Sequence, residues 1–84
     1  MTLDVLPIGH GARIVAVDWP ALVPEEGRRL RALGLEEGAR VAVSHRGVLW
    51  GKDPMAITVG RMTVAVRRAH AAAMKVEMLQ GAGA

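Results

Sequence analysis

Ser44 and His45 are the first residues whose types could do covalent chemistry, and their adjacency disqualifies them. Ser44 is the only serine in the chain. Neighbouring residues on a strand point to opposite faces, so this hydroxyl and imidazole cannot pair there, and no third orienting group is visible. With no cysteine, thiol catalysis, thiolate zinc sites and disulfides are excluded together. The histidines His10, His45 and His70 show neither an i,i+4 pair nor an HExxH pattern. One fold could bring two of them beside Asp53 or Glu77, and ferrous iron accepts such ligands. Three separate surface histidines is the simpler reading, so no metal site is assigned. Met55, Met62, Met74 and Met78 alternate with strand spacing and read as core filling, not as soft-metal ligands.

Phosphate chemistry fares no better. Gly51-Lys52-Asp53 puts a carboxylate where a P-loop needs a hydroxyl, and Gly9-His10-Gly11 lacks the third glycine of a dinucleotide loop. No catalytic residue, cofactor or cofactor-binding residue is therefore assigned. The net charge of +3 is the balance of scattered basic and acidic residues, which describes a mixed solvated surface. A small barrel binding nucleic acid is the rival from another class, with Arg28, Arg29 and Arg31 clustered and Trp50 free to stack. Trp19 and Trp50 are the only aromatics, too few for a stacking platform, so no nucleic-acid partner is expected.

These side chains must be held by a small scaffold. At 84 residues the chain has room for one domain, expected over 1–79, with a loose glycine-alanine tail at 80–84. Hydrophobic residues make up 51%, enough for a core, which must be aliphatic because Phe and Tyr are absent. The opening residues lack a basic stretch and a long apolar run, so no leader is expected. The apolar runs fall short of the ~20 residues a membrane helix needs. A soluble cytoplasmic protein without membrane insertion is the expectation.

β-branched alternation predicts strands over Arg13–Asp18, Ala39–His45, Met55–Val59, Met62–Arg67 and Met74–Leu79. Bends are expected at Arg46-Gly47, at Gly51 to Pro54 and at Gly60-Arg61. Pro24–Leu33 reads as a short helix: proline suits its first position, Glu25 and Glu26 its positive end, and Gly34 its stop. Gly27 weakens that helix by about 1 kcal/mol relative to alanine, so packing must hold it. A helical turn is expected over Ala69–Ala73. The predicted core is Leu30, Leu33, Val41, Val43, Ile57, Val59, Val64, Val66 and Val76. Five short strands with glycine-containing turns predict a mainly β fold, a small antiparallel barrel with one short helix and one helical turn.

Taken together, Arg29-Leu30-x-x-Leu33-Gly34-Leu35, Gly38, Asp53-Pro54, Val64-Ala65-Val66-Arg67 and the alanine-rich turn into Met74-Lys75-Val76 resemble the FeoA (ferrous iron transport protein A) family. A similar barrel ends the iron-dependent repressors, fused there to a helical DNA-binding domain, which keeps a metal-sensing accessory role as an alternative. The resemblance implies an SH3-like barrel in the cytosol and a non-enzymatic adaptor of ferrous iron uptake. Its partner would be the cytosolic GTPase part of a membrane iron transporter; self-association into a homo-oligomer is left open. The expected partner-binding patch comprises Trp19, Leu35, Leu49 and Trp50, with Arg46 and Lys52 as its polar rim. Val48-Leu49-Trp50 breaks alternation, and three large apolar residues in a row cannot all face one core.

Overall fold

The first strand, β1 (Gly11–Val17), is held on both sides. It pairs antiparallel with β2 (Arg40–Trp50) through Ala12 opposite Val41, and with β5 (Met74–Met78) through Ile14 opposite Val76. β2 pairs in turn with β3 (Asp53–Val59), and β3 with β4 (Met62–Val66). The result is one five-stranded antiparallel sheet in the order β4-β3-β2-β1-β5. This computed structural model describes residues 1–50 and 53–79, the stretch 46–50 through its backbone alone. The expected turn at Gly51-Lys52 and the tail at 80–84 lie outside the described residues.

Alternation sets the core. On β3, Met55, Ile57 and Val59 face inward while Ala56 and Thr58 lie between them in partial exposure. Val41 and Val43 of β2, Val66 of β4 and Met74 and Val76 of β5 join the same buried cluster, so edge and centre strands wrap one interior. Leu33 and Val64, both expected in the core, are only half-buried, and Val64 packs against the margin of the cluster. Met62 and Met78 do not fill the core: they begin β4 and end β5, and both stand exposed.

Two regions differ from the sequence-based expectation. The bend at Arg46-Gly47 is absent; β2 runs on to Trp50, and its extra residues are taken up as register slips after Val43 and after Arg46. The opening residues, for which the sequence pattern names no element, form a 3-10 turn over Leu3–Val5. In that helix, residues three apart eclipse, which puts Leu3 and Leu6 on one side, both fully buried. The Val76 N–H donates to the Met1 carbonyl at 2.8 Å and fastens this segment to β5.

Helix α1 (Pro24–Ala32) starts with Pro24 at its first position. It stops at Gly34, whose φ of +94° is the left-handed conformation glycine tolerates. The Gly34 N–H donates to the Arg31 carbonyl at 2.9 Å, and the Leu35 N–H to the Leu30 carbonyl at 2.8 Å. These two bonds define a Schellman motif, and its usual apolar contact pairs the residue after the glycine with the one five before it. Leu30 and Leu35 are both fully buried in the cluster. A short helix, α2 (Arg68–Ala71), precedes β5 and buries Ala71.

Candidate functional site

Helix α1 turns ~100° per residue, so it offers different side chains to different neighbours. Leu30 goes to the core. One flank, Glu26 and Arg29, faces α2 and the β3–β4 hairpin; the other, Gly27 and Arg31, faces Trp19.

On the first flank lies a cleft of about 560 Å³ lined by Glu26, Arg29, Asp53, Pro54, Ala65, Arg67 and His70. Arg29 Nη2 donates to Glu26 Oε2 at 2.6 Å, and its Nε lies 3.1 Å from Oε1. His70 Nδ1 stands 3.1 Å from the same Oε2, buried but without hydrogen-bond alignment. The Arg29 guanidinium, hydrogen-bonded to Glu26, holds that carboxyl below the usual glutamate range; burial opposes it, and His70 adds a smaller pull downward. Asp53 Oδ1 accepts the Arg68 N–H at 2.7 Å, satisfying an open donor at the start of α2. Both carboxylates of the cleft are thus engaged by its own walls. The Arg67 guanidinium has no ion pair or hydrogen bond among the described residues.

On the second flank, the Trp19 indole, half-buried, lies beside Gly27. Its Nε1 donates to Glu37 Oε2 at 2.9 Å, and the Arg31 guanidinium carbon sits 4.1 Å from the ring centroid, a cation–π distance. Glu37 is held below the usual glutamate range by a backbone N–H first and by this indole second.

Of the patch expected from the sequence, Trp19 is therefore partly open and fixed in place. Leu35 is a correction: it is fully buried, because the Schellman turn folds it back under the helix. Arg46, Leu49 and Trp50 belong to the arm of β2 described by backbone alone, with Trp50 paired to Asp53, and Lys52 lies outside the described residues. The histidines do not converge. His10 and His45 are exposed at separate places, and only His70 enters the cleft. Among the described residues, no group of three or more His, Asp or Glu is placed to hold a metal ion. The Ser44 hydroxyl donates to the Ala56 carbonyl at 3.2 Å and serves the fold. Among the described residues, no helix is long and apolar enough to cross a membrane.

The FeoA domain pattern matches residues 1–78. The chain belongs to the FeoA family. No curated protein sequence matches it. Solved FeoA structures do. The FeoA protein from Chlorobium tepidum is 33% identical with a TM-score of 0.82, over 96% of this chain and 72% of that one. Stenotrophomonas maltophilia FeoA, solved with zinc and described as an SH3 domain protein, is 32% identical with a TM-score of 0.71, over 92% of this chain and 89% of that one. Iron(II) transport protein A from Clostridium thermocellum is 25% identical with a TM-score of 0.81; this chain is covered to 96% but spans only 47% of that protein. The fold of this FeoA chain is accordingly the expected SH3-like, mainly β architecture with five antiparallel strands. Sequence reading missed Glu26, Arg29, Arg67 and His70 as one site, because they come from two helices and the strand end between them.

Proposed function

We propose that this chain is a small cytosolic adaptor of ferrous iron uptake, without enzymatic activity, that docks on the cytosolic GTPase part of a membrane iron transporter. The observation that carries this reading is the FeoA match over residues 1–78. The Chlorobium and Stenotrophomonas relatives support it, since the latter is described as a candidate activating factor of bacterial ferrous iron transport. The use of Ser44, Glu26 and Asp53 in the protein's own bonds supports a binding role over a catalytic one. Docking would use Trp19 and the hairpin arm with Arg46, Leu49, Trp50 and Lys52; Leu35 leaves this set. Trp is enriched among the residues that dominate interfaces.

The test is capture of the transporter's cytosolic domain by this protein, followed by Trp50→Ala. An interface Trp50 loses roughly 2 kcal/mol or more of binding while the unfolding midpoint stays in place. Absence of wild-type binding rejects the adaptor reading. Lost stability with intact binding moves Trp50 into the fold and off the interface.

A further inference from the structure

The cleft between α1, α2 and the β3–β4 hairpin holds two carboxylates and two guanidinium groups, which the protein itself engages unequally. Glu26 is taken by Arg29 at 2.6 Å, and Asp53 by the Arg68 N–H at 2.7 Å. Glu26 is neutralised by its guanidinium partner, Asp53 has one oxygen spent on a backbone N–H, and an incoming cation would also meet two guanidinium groups. Arg67 lines the same cleft with its guanidinium unpaired among the described residues. His70 supplies a ring whose Nδ1 is turned toward Glu26. Pro54 and Ala65 add small apolar surface. A guanidinium pairs best with a planar carboxylate, which accepts two parallel N–H bonds.

We propose that this cleft receives a carboxylate side chain from an acidic segment of the protein partner, with Arg67 as its ion-pair donor. The inference rests on the docking reading above and adds a second contact to it. The position fits: Asp53 and Pro54 directly follow the hairpin arm, so one partner can cover arm and cleft together. A nucleic-acid backbone is a poorer occupant, since it gains affinity from several cations in line, and the lining holds one unpaired guanidinium among the described residues.

Two measurements test this. In the first, isotope-labelled protein is titrated with a short end-blocked peptide of Glu and Leu, and with the same peptide carrying Gln for Glu. The acidic peptide is expected to shift amide signals of residues 67–71 and 26–30, the Gln peptide to leave them, and Arg67→Gln to weaken binding about tenfold. Arg67 is exposed, so the variant's remaining spectrum should match the wild type. Shifts that cluster elsewhere, no shifts, or equal binding by Arg67→Gln would overturn the proposal. In the second, Arg67→Gln is compared with wild type for the transporter's cytosolic domain. If wild type binds and the variant binds equally, the cleft is rejected and the docking reading stands. If wild type does not bind the transporter but the peptide titration succeeds, the cleft stands and the transporter reading falls.

Discussion

The Trp19 indole lies against helix α1 at Gly27, where a Cβ would stand 3.6 Å from ring carbon Cε3. A glycine in mid-helix is costly in isolation. Here it forms part of a flat seat, completed one turn later by Arg31, whose guanidinium lies over the same ring at 4.1 Å. The indole N–H is spent on Glu37 at 2.9 Å, so Trp19 is tied to the helix and to the loop beyond it.

That distance makes a counter-intuitive prediction. A contact of 3.6 Å is ordinary van der Waals packing, so Gly27→Ala should be accepted by the indole. Better helix propensity and a less flexible unfolded chain should then raise stability by about 0.5–1 kcal/mol. A urea titration reads this as a higher midpoint. A lower midpoint would show that the indole needs the bare backbone. Gly27→Leu, too long for the seat, should destabilise.

Leu35→Ala should cost about 2–5 kcal/mol, the usual range for truncating a fully buried leucine. Leu35 is 0% exposed and sits in the cluster with Leu30. Were it instead a surface contact, the midpoint would barely move, and partner binding would fall in its place.

Gly34 has room for a side chain: an added Cβ would lie 3.5 Å from Val59 Cγ2, an ordinary contact. Its φ of +94° is what a side chain opposes. Gly34→Val should therefore destabilise by about 1–2 kcal/mol or more, through backbone strain. Gly34→Asn should lose less, because asparagine tolerates the left-handed region. Equal midpoints for all three proteins would mean that the helix ends without this turn.

The strands were legible because a period of two is written into Met55-Ala56-Ile57-Thr58-Val59, and one face of that pattern is buried. Gly34 was legible as a stop. The burial of Leu35 also has a sequence trace, since Leu-Gly-Leu with Leu30 upstream is the pattern of an apolar Schellman contact. Leu3 and Leu6 left a three-residue spacing as their only mark, and a 3-10 turn is too short for periodicity to reveal. The cleft was not legible at all. Helix spacing links Glu26 to Arg29, but these two meet Asp53, Arg67 and His70 only through the packing of α1 against β3 and the start of α2, and no spacing rule joins positions so far apart.

Glu26 gives the cleft a pH signature with a definite sign. Its carboxyl is held below the ordinary value of 4.5, first by the Arg29 hydrogen bond, against desolvation and with a lesser contribution from His70. A carboxyl lowered in the folded state stabilises it fully above the unfolded value and loses that contribution as pH falls through the folded one. The charged groups around it are Arg29 on its own helix, His70 on α2, Arg67 just before α2, and Asp53 from β3, which is committed to the Arg68 N–H. Arg29 is partly exposed, so solvent screening keeps the pair weak, a few tenths to about 1 kcal/mol at neutral pH. Wild type should exceed Glu26→Gln by that margin at pH 7, and added salt should shrink the gap. The gap should hold down to the ordinary value of 4.5 and close as the solution is acidified further. Urea midpoints of the two proteins across that range check it, because the other carboxylates cancel in the comparison. A gap that widens as the solution is taken below 4.5 would mean that Glu26 is held as the neutral acid and that its bond to Arg29 does not stabilise the fold.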